Sequence, residues 1–208
     1  MILPKPHLSF SQIQLWLSSR DGYRKRYYPQ EKTTYFSSPE MEFGNTVTLA
    51  MEKGEEWTKF IPRYKTFEHK LLVEIEGIPI LGYIDNINLK TLQFAEQKTG
   101  RTKWTQKKVD KHLQLDLYSL LLHEKYGKVK EECYLLWVET EKIKKKVMMG
   151  DIELEGDSTD IGLTGNYTMF PRTITKKDRE KMRSLIVKVA AEIELDYLHK
   201  ADSYQRGL

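Results

Sequence analysis

The feature that most constrains the fold is a change of periodicity in the middle of the chain. Between residues 67 and 98 apolar side chains recur at every second position, which is typical of β-strands with one buried face. The segments before and after it repeat at the spacing of amphipathic helices. Helices and strands bury such faces against one another. We therefore predict an α/β domain with a mixed central sheet at about residues 67–155 and helices on both faces.

Four strands are predicted from apolar runs that are bounded by turn residues. Glu76-Gly77 suits a tight hairpin between the first two strands. Gly100 ends the third, and the fourth is apolar on both faces, as in a covered strand. Residues 143–154 are a candidate to pair beside it, whereas the Gly-, Asp- and Ser-rich stretch 150–167 predicts a loop. The four predicted strands are 67–75, 78–85, 92–98 and 133–138.

Four helices are predicted from the spacing of apolar residues and from their end signals. Ser9 or Ser11 would cap the first helix. The third carries a stripe of leucines and ends before Gly127, a residue type that commonly follows a helix. The predicted helices lie at about 8–20, 38–60, 105–126 and 176–199.

Length and composition bound the architecture. With 208 residues, of which 39% are hydrophobic and 31% charged, the chain has enough apolar material for one packed domain. We predict a single domain over residues 1–208, with its core motifs at about 40–138 and a C-terminal helix at about 176–199. The chain shows no signal-like start and no uncharged apolar run of about 18 residues. We therefore expect a cytoplasmic protein without a membrane partner.

Composition also excludes several classes of function. Cys133 is the only cysteine, which excludes an internal disulfide, a Cys-based zinc site and a Cys-ligated iron–sulfur cluster. The net charge of +4 is too small to indicate a polyanionic ligand by itself. Neither G-x-x-x-x-G-K-[ST] nor G-x-G-x-x-G occurs, so the sequence does not indicate a nucleotide-driven motor.

Three charged residues at the ends of two predicted strands suggest metal chemistry. Alternation places Glu96 and Lys98 on one face of the third strand, and a tight antiparallel connection would bring Asp85 beside Glu96. Two carboxylates, water and a phosphate oxygen suit Mg²⁺ or Mn²⁺, which would polarise a phosphodiester and activate a water. Lys98 would orient or deprotonate that water. In the alternative interpretation, Asp85 caps a turn, and Glu96 and Lys98 form an exposed ion pair of little consequence.

Further motifs in the same order favour the metal site. Residues 82–85 (Gly-Tyr-Ile-Asp), 96–100 (Glu-Gln-Lys-Thr-Gly) and 114–118 (Gln-Leu-Asp-Leu-Tyr) closely resemble the series G-x-[IV]-D, [DE]-x-K-T-G and Q-x-x-x-Y. That series marks RecB-like nucleases of the PD-(D/E)XK superfamily. Residues 8–11 and 43–44 also look like the family's N-terminal helices. The resemblance implies a restriction-endonuclease-like fold, with a mixed central sheet flanked by helices and N-terminal helices packed near the site.

The resemblance also implies an activity and a set of roles. The protein would be a metal-dependent DNA nuclease, an exonuclease rather than an endonuclease, acting in recombination, repair or phage DNA processing in a bacterial or phage-infected cytoplasm. Asp85, Glu96 and the backbone carbonyl of Gln97 would hold Mg²⁺ or Mn²⁺. Lys98 would be the catalytic lysine. The family's iron–sulfur branch is excluded, because it needs four cysteines.

One position departs from the family pattern. RecB-like nucleases usually carry a metal-binding histidine a few residues after the glycine of the second helix, where this chain has Thr48. Glu52, one turn further along the helix, or Glu42, before Thr48, is a candidate to replace it.

The DNA-contacting residues are predicted around the motifs. Gln114 and Tyr118 are four apart on one helix, so both are expected to reach the catalytic site or the DNA backbone. A basic cluster directly after Gly100 is expected to contact phosphates. It consists of Arg101, Lys103, Lys107, Lys108 and Lys111. A second basic cluster, formed by Lys142, Lys144, Lys145 and Lys146, fits a solvated face equally well.

The partners implied are DNA and, for any motor function, a separate helicase or recombination protein. An oligomer is compatible with the family, and the sequence does not decide it. Two rival hypotheses remain open at this stage. The first is a catalytically silent DNA-binding module that keeps the nuclease fold, which Thr48 would favour. The second is an interaction or structural protein in which the motif is coincidental.

Overall fold

The chain folds into a mixed six-stranded sheet with helices packed on both faces, which confirms the predicted fold class. The structure is a computed structural model that describes residues 1–29, 37–149 and 152–205, with side chains described over 1–29, 37–144 and 160–201. The strands are β1 (Leu8–Ser9), β2 (Thr66–Ile75), β3 (Ile78–Asn88), β4 (Gln93–Gly100), β5 (Glu132–Met149) and β6 (Ile152–Thr173). The helices are α1 (Phe10–Ser18), α2 (Arg20–Tyr27), α3 (Pro39–Lys53), α4 (Gln106–Val109), α5 (Leu113–Tyr126) and α6 (Lys176–Gln205), with a 3-10 turn at Glu56–Thr58.

The strand order creates an opening in the sheet. Along the path β1-β3-β4-β5-β6, β4 and β5 run parallel, and β2 pairs with the other edge of β3. β2 covers β3 over almost its whole length, whereas the opposite edge of β3 is divided between two strands. β1 pairs with Ile80 and Leu81, and β4 pairs with residues 86–88. The edge of β3 between them faces a gap.

The hairpin between β2 and β3 has the predicted turn. Glu76 and Gly77 both have positive φ, 50° and 75°, as a type I′ turn requires. This turn pairs Ile75 with Ile78 and thereby sets the register along both strands, as far as Thr66 opposite Ile87.

Two apolar layers cover the sheet. On one face α3 packs against β5 through Val47, Met51, Leu136 and Val138. On the other face α1, α5 and α6 pack over β2, β3, β4 and β5, and this larger layer includes residues from every one of these elements. The fourth predicted strand is therefore buried on both faces, as its continuous apolar run indicated.

Several predicted boundaries are wrong. The second helix ends at Lys53 rather than near residue 60, because Gly54 adopts φ 72° and caps it. The helix predicted at 105–126 is divided into α4 and α5, because His112 leaves the helical conformation and its ring packs edge-on against Phe10 and Trp104. Helix α2 was not predicted.

The loop predicted at 150–167 is also wrong, because β6 occupies residues 152–173. Its backbone pairs with β5 from Met149 opposite Ile152 to Glu132 opposite Thr173, and this long ladder outweighs the loop-like composition. Residues 150 and 151 lie outside the described residues, as do the side chains of Lys145 and Lys146 in the second basic cluster.

Candidate active site

The three motif residues meet where β3 and β4 separate. These strands pair only through residues 86–88 and 93–95. Asp85 on β3 and Glu96 on β4 lie directly beyond this pairing. Their carboxylates therefore lie at the fork, the point where the two strands separate, as the sequence predicted. The backbone N–H of Gln97 donates to Asp85 Oδ2 at 2.6 Å, instead of continuing the ladder to β3. A carboxylate thus replaces a strand partner at the point of divergence.

Lys98 connects this fork to helix α5 by hydrogen bonds. Its Nζ donates to Glu96 Oε1 at 2.6 Å and to Gln114 Oε1 at 3.1 Å. Gln114 Nε2 in turn donates to the hydroxyl of Tyr118 at 2.9 Å. The side chain of Glu96 is 2% exposed and that of Lys98 is 31% exposed. The alternative of an exposed ion pair is therefore wrong, and of the two predicted helix residues Gln114 contacts Lys98 directly, whereas Tyr118 contacts Gln114.

A glycine allows α5 to approach β3 closely enough for these contacts. A Cβ atom at Gly82 would lie 2.9 Å from Leu121 Cδ1 and 3.1 Å from Tyr118 Cε1, both on α5. Carbon atoms in ordinary contact are about 3.5–4.0 Å apart, so a side chain at this position would force the side chains of Leu121 and Tyr118 to shift. The glycine of the first motif therefore serves helix packing beside the site.

The charges at the fork are poorly compensated. Burial, reinforced by the negative charge of Asp85, raises the pKa of Glu96 to about 8. Burial likewise raises the pKa of Asp85. Burial by itself would lower the pKa of Lys98, but the adjacent carboxylates outweigh it and raise that pKa. Glu96 Oε2 is buried and has no hydrogen-bond partner among the described residues.

This donor set fits a hard divalent cation. Two neighbouring carboxylates share one ammonium, and one buried carboxylate oxygen lacks a partner, so a cation would supply the missing compensation. In the described part of the chain, no three Asp, Glu, His or Cys side chains lie close enough together to hold an ion by themselves. The remaining ligands would have to be backbone carbonyl, water or phosphate oxygens, which Mg²⁺ accepts.

Comparison with known proteins identifies the family. The family model of the PD-(D/E)XK nuclease superfamily matches residues 8–206. The chain belongs to the PD-(D/E)XK nuclease superfamily. The resemblance seen in the motifs is thereby confirmed, and the superfamily generally uses divalent metal ions. No curated protein matches the sequence.

Solved structures share the superfamily fold. An alkaline exonuclease from Laribacter hongkongensis, LHK-Exo, superposes with a TM-score of 0.51 and 10% identity, over 98% of this chain and 95% of that one. The same enzyme in complex with dAMP superposes with a TM-score of 0.53 and 10% identity, over 99% and 96% of the two chains. At this identity the likeness shows the fold alone.

The open cleft at the fork has a volume of about 400 Å³ and includes the position where RecB-like nucleases usually carry a histidine. Thr48 lines the cleft, but its hydroxyl donates to the carbonyl of Gly44 at 3.2 Å and accepts from Gln97 Nε2 at 3.4 Å. Glu52 is exposed and does not line the cleft, and Glu42 accepts a hydrogen bond from Ser37. The structure thus brings Thr48, but neither glutamate, to the cleft.

A carboxylate that the sequence analysis missed does line the cleft. Glu68 on β2 lies opposite Asp85, because its neighbours Phe67 and His69 pair with Asn86 and Ile84. The signal was present in the sequence. Counting back from the two-residue turn after Ile75 would have placed Glu68 across from Asp85.

The predicted basic cluster follows β4 in the chain. All five of its side chains are exposed, and none forms an ion pair with a carboxylate whose position is described. Arg101 lines a small cavity of about 40 Å³ together with Phe43 and Lys142, next to the cleft. Lys108 Nζ lies 4.0 Å from the centre of the Trp104 ring. The five residues are Arg101, Lys103, Lys107, Lys108 and Lys111.

Among the helices that the structure describes, none is long and apolar enough to span a bilayer.

Proposed function

We propose that this protein is a divalent-metal-dependent deoxyribonuclease, and that it acts as an exonuclease. The observation that carries the proposal is the buried Glu96 at the strand fork, with one unpartnered oxygen, beside Asp85 and in contact with Lys98. Membership of a nuclease superfamily supports hydrolysis of phosphodiesters. The choice of exonuclease follows the LHK-Exo fold and the RecB-like motif order, and it is an inference by analogy.

Each residue at the fork is given one role. Asp85, Glu96 and the carbonyl of Gln97 would hold Mg²⁺ or Mn²⁺. When bound, the ion would polarise the phosphodiester and lower the pKa of a water. Lys98 contacts Glu96 through its Nζ and faces the same cleft. As an ammonium it would donate hydrogen bonds and offset negative charge that develops on the phosphate.

The residues around the fork would hold Lys98 and the DNA. Gln114 accepts a hydrogen bond from Lys98 and is itself fixed by Tyr118, so the two residues position the ammonium. The exposed basic cluster from Arg101 to Lys111 follows β4 directly, where its positive charges can neutralise phosphates along a DNA strand. DNA is thus the proposed substrate. The pathway of recombination, repair or phage DNA processing is proposed from the family alone.

The test is digestion of end-labelled linear DNA and covalently closed circular DNA in Mg²⁺, Mn²⁺ or EDTA. We compare the wild type with Glu96→Gln, Lys98→Met and the control Glu74→Gln, which alters an exposed glutamate of β2. We expect both site variants to lose at least about a hundredfold in rate, as is common when a charged catalytic group is removed. Glu74→Gln should cut as the wild type does.

Each outcome discriminates between hypotheses. Metal-dependent loss of linear DNA alone supports an exonuclease, and cleavage of both forms indicates an endonuclease. Salt-sensitive binding without cleavage in either metal would establish the rival hypothesis, a silent DNA-binding module. Cleavage that survives both site variants would place the active site elsewhere.

A further inference from the structure

Besides Asp85 and Glu96, the cleft is lined by two carboxylates for which the motifs provide no role, Glu40 on α3 and Glu68 on β2. RecB-like nucleases usually carry a metal-binding histidine on the second helix, and the threonine at that position here has its hydroxyl engaged in two hydrogen bonds. Glu68 lines the same cleft as this threonine and is supplied by a different element, β2.

The backbone at Glu68 departs from ordinary strand geometry. Its φ is 46°, in the left-handed region that residues other than glycine rarely adopt. Glu68 and Asp85 are opposite in register but do not form a ladder pair, although the pairs on either side are intact. Directly opposite residues of an antiparallel pair share one face of the sheet, and Glu68 accordingly lines the cleft together with Asp85.

No positive charge compensates Glu68. In the described part of the chain it forms neither an ion pair nor a side-chain hydrogen bond, and the nearby charges that act on it are those of Asp85 and Glu52. Glu68 is exposed to solvent, but its partial desolvation, together with these two negative charges, raises its pKa. The unpartnered Glu96 Oε2 is an independent sign that the same cleft accommodates a cation.

We propose that Glu68 is a third acidic residue that holds the divalent ion of this site, acting through a water in the hydration shell of the ion. This inference rests on the proposed metal-dependent function. Action through water follows from the geometry, because no three acidic or histidine side chains of the described chain are close enough for direct coordination. Mg²⁺ and Mn²⁺ sites commonly retain such waters, and a carboxylate that accepts their hydrogen bonds strengthens binding. Glu68 is therefore a positioning residue.

The first experiment measures Mn²⁺ binding without DNA, by titration followed by electron paramagnetic resonance. The proteins are the wild type, Glu68→Gln, Glu74→Gln and Glu96→Gln. Loss of an outer-shell partner typically weakens metal affinity by about 10–100-fold, and we expect Glu68→Gln to raise the Kd for Mn²⁺ by about tenfold. Glu74 is on the same strand and exposed like Glu68, but it does not line the cleft, so Glu74→Gln should stay within about twofold of the wild type.

A second variant separates metal binding from backbone strain. Glycine tolerates positive φ, so Glu68→Gly should fold with a thermal midpoint no lower than that of the wild type, yet bind Mn²⁺ as weakly as Glu68→Gln. Wild-type affinity in either Glu68 variant would overturn this inference. If Glu68→Gln binds normally while Glu96→Gln does not, only the role of Glu68 fails. If Glu96→Gln also binds normally, the proposed metal-dependent function fails with it.

Discussion

Gln114 is the residue through which helix α5 acts on the candidate catalytic lysine. Its amide accepts from Lys98 Nζ at 3.1 Å and donates to the Tyr118 hydroxyl at 2.9 Å. Gln114→Met keeps the length of the side chain but removes both hydrogen bonds, so Lys98 loses one of its two described partners. We expect DNA cleavage to slow by about ten- to a hundredfold, as when a group that orients a catalytic residue is lost. The Kd for Mn²⁺ should be unchanged.

The measurement is single-turnover cleavage together with a Mn²⁺ titration. Tyr126→Phe is the matched control, because Tyr126 lies on the same helix and its hydroxyl contacts His69 rather than the site. Equal cleavage by Gln114→Met and the wild type would show that Lys98 needs no support from α5.

His112 predicts a dependence of stability on pH. Burial, reinforced by the positive charge of Lys98, lowers the pKa of its ring to about 4 from an ordinary value near 6.5. The unfolded chain therefore takes up a proton at a higher pH than the folded chain, and stability is lost as pH falls from 6.5 to 4. We expect a loss on the order of 2 kcal/mol, after allowance for the partial exposure of the ring.

Urea unfolding at several pH values tests this prediction. His112→Phe keeps an aromatic ring between Phe10 and Trp104, so its stability should fall less than that of the wild type between pH 6.5 and 4. His123→Gln, on the exposed surface of α5, should follow the wild type. Parallel curves for His112→Phe and the wild type would contradict the assignment.

At the scale of elements, the packing of α5 on β3 depends on Gly82. Gly82→Ala would place a Cβ atom 2.9 Å from Leu121 Cδ1 and 3.1 Å from Tyr118 Cε1, and both side chains are buried. Overpacking of a buried contact typically costs about 1–3 kcal/mol, and we expect a loss of about 2 kcal/mol in the free energy of unfolding. Cleavage should slow as well, because Tyr118 moves with the helix.

The control is Gly100→Ala, since no atom lies within 4 Å of a Cβ atom built there. Denaturant unfolding of the two variants provides the comparison. If Gly82→Ala were as stable as the wild type, α5 would have room to shift, and its approach to β3 would not depend on glycine.

At the scale of the whole molecule, the basic cluster after β4 predicts salt-dependent DNA binding. Each phosphate contact made by a lysine or arginine contributes about 0.9 to the slope of log K against log salt concentration. Arg101→Ala and Lys107→Ala should each reduce that slope by about one. Lys188→Ala, which alters a residue of α6 that pairs with Glu192, should leave the slope unchanged. Fluorescence anisotropy with a short duplex at several salt concentrations measures it, and equal slopes for all proteins would exclude this cluster from the DNA path.

The sequence by itself determined the elements that depend on local chemistry. Alternation predicted β2, β3 and β4, and the Glu76-Gly77 turn predicted their hairpin, because a type I′ turn sets the register of the strands that it joins. That register already placed Asp85 opposite Glu68. The ordered motifs also predicted the superfamily. They further predicted that helix α5, through Gln114, lies near Asp85, Glu96 and Lys98.

Only the tertiary structure decided features that depend on distant parts of the chain. The long pairing of β6 with β5 overrides a loop-like composition, because its ladder partners lie far away in sequence. The burial of Glu96, its unpartnered oxygen and the engaged hydroxyl of Thr48 result from elements that converge on the cleft. The left-handed turn at Glu68 is likewise invisible in the sequence, because nothing local favours that conformation for a glutamate.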